Sequence, residues 1–180
     1  RLCPAAQVVC VEKSPEAYVY LEKNTRLALK GRGGSTENVL DASPFEEPAF
    51  DWGMKPTRAA EPVEGDLFTY WESLPEGQLD LIVSNPPYVP QSDLAAMHAN
   101  VREYEPREAL FVPDDDALRF YRAIARAGRR MLRPGGKLYF EIYERSAGQM
   151  RLMLGEEGYT DTEVREDLNG KPRMVCSRMN

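Results

Sequence analysis

Short apolar runs alternate along the chain with segments of helical periodicity, and this alternation restricts the fold more than any other feature of the sequence. The first run is 7–11 (QVVCV) and the second is 79–84 (LDLIVS); both are typical of buried strands. Parallel strands need long crossover connections, which helices usually supply. The alternation therefore predicts an α/β fold with a mostly parallel sheet and helices on both of its faces.

The helical segments carry start signals and a clear inner face. Ser14 is a suitable N-cap before Pro15, and the first helix is expected to run to about Lys30. A second helix is predicted over 115–132, where apolar or small residues recur at steps of three and four. The predicted inner face of this helix consists of Leu118, Tyr121, Ala125, Gly128 and Leu132.

The last third of the chain continues the pattern, whereas the region after the first helix interrupts it. A strand is predicted over 137–142, a helix over 146–157, and two strands around the turn Asn169-Gly170. Residues 31–65 hold several glycines, prolines and acids, and are predicted to be an insertion or long loop. The 180 residues suffice for a single domain with a sizeable core, so one catalytic domain is predicted over 1–180.

Composition argues against several classes of function. The formal net charge of −6 disfavours broad binding to a phosphate backbone, so direct DNA binding is not expected. Three scattered cysteines and one histidine give no support to a disulfide framework, a metal site or a serine-protease triad. There is neither a signal peptide nor an apolar stretch of membrane-spanning length, which favours a cytoplasmic protein without membrane contact.

The sequence Asn85-Pro86-Pro87-Tyr88 directly follows the predicted strand 79–84. The side-chain carbonyl of Asn85 and the backbone carbonyl of Pro86 are two rigidly held acceptors, suited to both hydrogens of a planar NH2 group. Such acceptors would stabilise positive charge that develops on the nitrogen during attack. Tyr88 offers a flat face for an amide or ring. An ordinary Asn-Pro turn is the alternative.

Acidic residues end two other predicted strands. Because ligands bind beyond the carboxyl ends of strands in sheets of this kind, Glu12 and Asn85 are expected on one rim. Glu141 lies at the end of the strand predicted over 137–142, on the same rim. There it could contact a substrate or act as a structural carboxylate.

Four blocks of sequence resemble the HemK family of protein-(glutamine-N5) methyltransferases. The Asn-Pro-Pro-Tyr segment fits the (Asn/Asp/Ser)-Pro-Pro-(Tyr/Phe/Trp) motif of amino-methyltransferases, and the blocks are DLIVSNPPYVP, VREYEPREALF, LRPGGKLYFEI and EDLNGKPRMV. The resemblance implies a Rossmann-like class I methyltransferase sheet with a carboxyl-terminal antiparallel hairpin. It also implies S-adenosyl-L-methionine as methyl donor and the glutamine of the Gly-Gly-Gln motif in peptide-chain release factors as acceptor.

The resemblance assigns roles to individual residues. Glu12 would bind the ribose hydroxyls of the cofactor, and Asp66-Leu67 would lie against its adenine. Asn85 would contact both cofactor and substrate. Asn85, Pro86 and Tyr88 would be catalytic, and Pro87 would join them in binding substrate. The alternatives are an acid at a helix N-terminus for Glu12, and a polar loop followed by a strand for Asp66.

One part of the family pattern has no counterpart in residues 1–180. The family's first strand and its glycine-rich loop, D-x-G-x-G-x-G, should precede 7–11, and the cluster 31–34 follows a helix instead. These residues alone are therefore expected to bind the cofactor weakly and to be inactive.

Two further functions remain open. One is a DNA or RNA amino-methyltransferase acting on adenine N6, cytosine N4 or guanine N2, which are similar conjugated amines. The other is a non-catalytic fragment without cofactor. Arginines within 119–133 are expected to form a solvated helix face, with contact to the ribosome or tRNA as the alternative.

Overall fold

The computed structural model describes residues 7–30, 59–66, 68–74, 76–96 and 106–180. The chain divides into two compact units, Arg1–Tyr70 and Trp71–Asn180. The single domain predicted from the sequence therefore stays a prediction.

The described part of the first unit contains a parallel strand pair and one α-helix. Strand β1 (Gln7–Glu12) is followed by helix α1 (Pro15–Lys30) and strand β2 (Ala59–Glu64). The strands pair in register from their first to their last residues. The predicted start of the helix is confirmed, because Ser14 Oγ accepts a hydrogen bond from the backbone N–H of Ala17 at 3.2 Å.

The prediction of a loop over 31–65 is wrong at its end, since β2 occupies Ala59–Glu64. Two glutamates and Pro62 conceal this strand in the sequence AAEPVE. Proline is tolerated in a strand that has a neighbour on one side only, because its missing N–H is not needed by a second neighbour. Within the described residues β2 pairs with β1 alone. Residues 31–58 lie outside the described part.

The second unit is larger and contains a mixed sheet. Its elements in chain order are β3 (Leu79–Ser84), β4 (Val89–Pro90), α2 (Arg107–Leu110), β5 (Phe111–Val112), α3 (Arg119–Met131), β6 (Leu132–Glu141), α4 (Ala147–Glu156), β7 (Tyr159–Glu166) and β8 (Pro172–Met179). Four strands form a sheet in the order β3-β6-β8-β7, and β4 pairs separately with β5. The pairs β3–β6 and β4–β5 are parallel, whereas β6–β8 and β7–β8 are antiparallel.

The core of the second unit lies where α3 and α4 supply buried side chains to the sheet. Its largest fully buried members are Tyr121, Phe140, Leu138, Ile142, Met150, Leu154, Val112 and Val175. The predicted inner face of α3 is confirmed at Tyr121, Ala125 and Gly128. The helix begins at Arg119, later than predicted, because Asp114–Asp116 form a separate 3-10 turn after Pro113.

Neither of the strands expected to be buried is fully covered. Val8, Val9 and Val11 of β1 are 39–43% exposed, and Val83 of β3 is 70% exposed. Within the described residues β1 pairs only with β2, and β3 only with β6. An apolar run thus identified each strand correctly but overestimated its burial.

The α/β class is confirmed, with three parallel strand pairs and a carboxyl-terminal antiparallel hairpin. The hairpin connection is closed by Asp167, whose Oδ1 accepts the backbone N–H groups of Asn169 and Lys171. Gly170 takes a φ of +74°, as the turn requires. In the described part of the chain, no helix is both long and apolar enough to span a membrane.

Candidate active site

The Asn-Pro-Pro-Tyr segment leaves the sheet at the carboxyl end of β3, as predicted. Asn85 is exposed, Pro86 is buried, and Pro87 and Tyr88 are half-buried. The loop thus presents the asparagine amide to solvent, while the proline beside it is covered by protein. This is the arrangement that a fixed polar contact to an incoming ligand needs.

A second segment of chain holds the loop just after the motif. The backbone N–H of Tyr88 donates to Leu110 O at 3.2 Å, and β4 then pairs with β5, which includes the fully buried Val112. Ser92 donates from both its backbone N–H and its hydroxyl to Asp114 Oδ1, at 3.0 and 2.8 Å. These two hydrogen bonds hold the pKa of Asp114 below its usual value.

The phenol of Tyr88 reaches the end of the neighbouring strand β6. Its hydroxyl donates to Glu141 Oε1 at 3.0 Å. Burial, and then the Glu141 carboxylate, raise the pKa of Tyr88, while Arg173 opposes the shift. Ser84 is in register with Phe140, so Asn85 and Glu141 follow at adjoining carboxyl ends of parallel strands. Their placement on one rim of the second unit is thereby confirmed.

Tyr143 provides a further wall beside the motif. Its ring stacks near that of Tyr88, with centroids 6.3 Å apart, and its hydroxyl donates to a carboxylate oxygen of Asp93. That hydrogen bond raises the pKa of Tyr143. The Arg145 guanidinium lies over the Tyr143 ring, 5.8 Å from the ring centroid. A cavity of about 270 Å³ opens between these aromatic rings and the start of α3.

Glu12 lies in the first unit, where the ends of β1 and β2 adjoin. Its Oε1 accepts the backbone N–H of Ser14 at 2.8 Å, and its backbone carbonyl accepts from Gly65 N at 2.9 Å. The carboxylate therefore also stabilises the start of α1, in keeping with the structural alternative. The predicted approach of Glu12 to Asn85 joins the two units and stays a prediction.

Asp66 follows β2 closely and closes a turn. Its Oδ1 accepts the backbone N–H of Phe68 at 2.8 Å, and its Oδ2 pairs with Lys13 Nζ at 2.9 Å. These contacts keep the pKa of Asp66 below its usual value. The polar loop of the alternative for Asp66 is present, but the strand start expected after it is wrong, since Tyr70–Ser73 form a 3-10 helix. Leu67 lies outside the described residues.

Sequence reasoning missed Tyr143, Asp93 and Arg173. Tyr143 had a usable signal, because it lies two residues after Glu141 and residues at this spacing point to the same side of an extended chain. Asp93 and Arg173 had no such signal. Asp93 contacts Tyr143 across 50 residues of sequence. Arg173 approaches the site only because its strand, β8, pairs with β6.

The arginines within 119–133 are largely engaged within the chain. Ion pairs join Arg122 to Asp116, Arg126 to Glu157, Arg130 to Glu76 and Arg133 to Asp80. Such exposed pairs contribute little to stability. They do occupy the guanidinium groups, which agrees with the expected solvated helix face. Among the described residues, no group of three histidines, cysteines or acids is placed to hold a metal ion.

The fold is shared with known methyltransferases. The solved structure of the CurJ carbon methyltransferase matches 98% of this chain and 43% of its own length, with a TM-score of 0.53 and 9% identity. This likeness and the strand order β3-β6-β8-β7 define a Rossmann-like class I methyltransferase fold.

Sequence similarity points to a smaller group of methyltransferases than the fold does. The release factor glutamine methyltransferase of Geobacter sulfurreducens is 36% identical over 176 residues, which are 98% of this chain and 51% of the relative. That of Bacteroides thetaiotaomicron is 53% identical over 98 residues, or 54% of this chain and 35% of the relative. Over 98% of its length the chain is thus similar to a release factor glutamine methyltransferase, the family that the sequence blocks predicted. No family model matches it.

The chain spans about half the length of the Geobacter relative and about a third of that from Bacteroides.

Proposed function

We propose that this chain serves the S-adenosyl-L-methionine-dependent N5-methylation of the glutamine in the Gly-Gly-Gln motif of peptide-chain release factors. The observation that carries the proposal is the Asn85–Tyr88 loop, which ends β3 and is held through Tyr88 by both Leu110 and Glu141. The similarity to release factor glutamine methyltransferases supports the choice of substrate.

The acceptors of the loop suit a primary amide. Its nitrogen is a poor nucleophile, because the lone pair is delocalised into the carbonyl group. The Asn85 side-chain carbonyl and the Pro86 backbone carbonyl would each accept one amide hydrogen and favour the geometry in which the lone pair is localised. They would also stabilise the positive charge that grows on nitrogen. The Tyr88 ring would pack against the amide plane.

The two acids of the first unit suit the cofactor, which when bound supplies a methyl group on a sulfonium centre. Glu12 Oε1 is engaged by Ser14, so we assign Oε2 to the ribose hydroxyls. Each oxygen of Asp66 has a second lone pair beyond its present contact, which an adenine amine could use. Glu12 is the last residue of β1 and Asp66 comes two residues after the end of β2, and these strand ends are neighbours because Glu12 is in register with Glu64. We further propose a cytoplasmic location without membrane or DNA contact.

The test is mass spectrometry of a release factor co-expressed with the full gene product that contains this sequence. We expect one added methyl group on the glutamine of the Gly-Gly-Gln motif. A release factor with asparagine at that position should stay unmodified, because the shorter side chain does not bring its amide to the acceptors.

An unmodified release factor together with methylated DNA or ribosomal RNA would contradict the proposal and favour the nucleic-acid amino-methyltransferase. If release factor, DNA and ribosomal RNA all stay unmethylated, a non-catalytic role is favoured.

A further inference from the structure

The backbone of Glu141 is anchored from two sides. The hydroxyl of Tyr121, a fully buried side chain, donates to Glu141 O at 2.8 Å. The next backbone N–H, that of Ile142, donates to Arg173 O at 2.9 Å, and Glu141 itself is in register with Met174 of β8. The half-buried Glu141 therefore projects from a strand end whose backbone is held on both sides.

Tyr88 is restrained at three points. Its backbone N–H is held by Leu110, its ring stacks on Tyr143, and its hydroxyl donates to Glu141. A phenol is a hydrogen-bond donor at neutral pH, and the raised pKa of Tyr88 favours this protonated form further. Glu141 accepts the hydrogen bond of the hydroxyl at the far end of the ring, where Arg173 also interacts with Tyr88.

We propose that Glu141 is a positioning residue for methyl transfer: its carboxylate accepts from the Tyr88 hydroxyl and thereby holds the ring against the substrate amide. The inference rests on the proposed function. It assigns to Glu141 an action through Tyr88, whose hydroxyl donates to Oε1 of the carboxylate.

Two substitutions of similar length separate this role from others. Glu141→Gln removes the charge but keeps an acceptor, whereas Glu141→Met removes both. We expect kcat of the Gln variant to stay within about threefold of wild type, and that of the Met variant to fall about ten- to a hundredfold, since a misplacement of ~1 Å has effects of that order. KM for the release factor should change little. In a Tyr88→Phe background the Gln and Met variants should have equal kcat.

The matched control is Glu144, an acid of the same segment that pairs with Lys171. Glu144→Gln and Glu144→Met should not differ from each other. Equal losses in Glu141→Gln and Glu141→Met, or a difference between them that persists with Tyr88→Phe, would overturn the inference. Wild-type enzyme that leaves release factor unmethylated would instead refute the proposed function.

A second measurement does not depend on the stability of the Met variant. Tyrosinate absorbance is titrated in wild type and Glu141→Gln, each against its Tyr88→Phe counterpart. Loss of the carboxylate should lower the pKa of Tyr88, because the negative charge disfavours the phenolate. An unchanged pKa would overturn the contact on which the inference depends.

Discussion

Asn85 and Pro86 divide two tasks between neighbouring residues. The asparagine is exposed and the proline is buried, so the loop offers a polar group while its backbone is enclosed. The proline ring also restricts φ, which reduces the conformational entropy lost when a ligand binds. A preorganised acceptor of this kind acts mainly in the transition state, where the nitrogen becomes positive.

Replacement of Asn85 by alanine should therefore lower kcat about a hundred- to a thousandfold. Affinity for S-adenosyl-L-methionine should change less, because the role that we propose for the loop is mainly to hold the substrate amide. Turnover of release factor and calorimetric titration of the cofactor measure the two effects in the full gene product. Asn169→Ala in the hairpin turn is the control. Near-normal turnover of Asn85→Ala would exclude the proposed role.

Gly128 in α3 is a position at which a single added carbon atom is expected to affect the stability of the protein. A Cβ there would collide with the Tyr159 hydroxyl, which donates to Ala125 O at 2.8 Å, and would lie 3.3 Å from Ile82 Cδ1. Gly128→Ala should destabilise the protein by about 1–3 kcal/mol through overpacking. Denaturant unfolding measures the change.

Gly155 in α4 provides the contrast, because a Cβ there meets nothing within 4 Å. Gly155→Ala should be neutral or stabilising by up to ~1 kcal/mol. Equal effects of the two substitutions would mean that helix propensity, and not the contact with Tyr159, decides the outcome.

Among the elements, the β7–β8 hairpin depends on one carboxylate. Asp167 accepts two backbone N–H groups across the turn and pairs with Arg173 at 3.5 Å. The two backbone hydrogen bonds, together with Arg173, lower its pKa below the ordinary value of 3.8. A lowered pKa means that the ionised carboxylate is more stable in the folded state than in the unfolded chain.

The resulting pH dependence has a defined sign. The contribution of Asp167 to stability is fully present above the unfolded pKa near 3.8 and is lost as pH falls through the lower, folded pKa. Asp167→Asn should thus reduce stability at pH 6 and flatten its decline between about pH 4 and pH 2. Thermal unfolding across this range tests the prediction. A decline as steep as that of wild type would place the effect in other carboxylates.

Helices, strands and turns could be predicted where the sequence carried a local signal for them. The N-cap Ser14, the periodic face of α3 and the Asn169-Gly170 turn are local, and each led to the observed structure. Strand β2 was missed because its sequence has no apolar alternation and its pairing with β1 is a long-range contact. The late start of α3 was missed because a run of aspartates fits a helix N-terminus as well as a 3-10 turn.

In the candidate site too, local features could be predicted from the sequence and long-range contacts could not. The Asn85–Tyr88 motif could be identified from local sequence, and its place at a strand end followed from the alternation of strands and helices. The partners that hold Tyr88 come from two other segments, one at Leu110 and one that contains both Glu141 and Tyr143. Such contacts are set by the tertiary fold, and the sequence indicated only that Glu141 would lie near.

Across the whole molecule, burial is distributed unequally. The buried hydrophobic residues of the described part all lie between Val112 and Val175, within the second unit. In the first unit, the three valines of β1 are each about two-fifths exposed, and its one described buried residue is the polar Thr25. Because burial of apolar surface is the main source of stability, the two units should differ in resistance to opening.

Hydrogen exchange followed by mass spectrometry should therefore show slow exchange in β6, β8, α3 and α4, and faster exchange in β1 and β2. The hydrogen bonds of both sheets are similar in kind, so the difference would reflect the free energy of opening and not the presence of a bond. Glu12 and Asp66, which we assign to the cofactor, would then lie in the less protected unit. A ligand that binds there should slow exchange in β1 and β2 first, because it stabilises only the state to which it binds. Exchange in β1 as slow as in β6, without cofactor, would show that the first unit is stabilised by contacts other than the burial of its own apolar side chains.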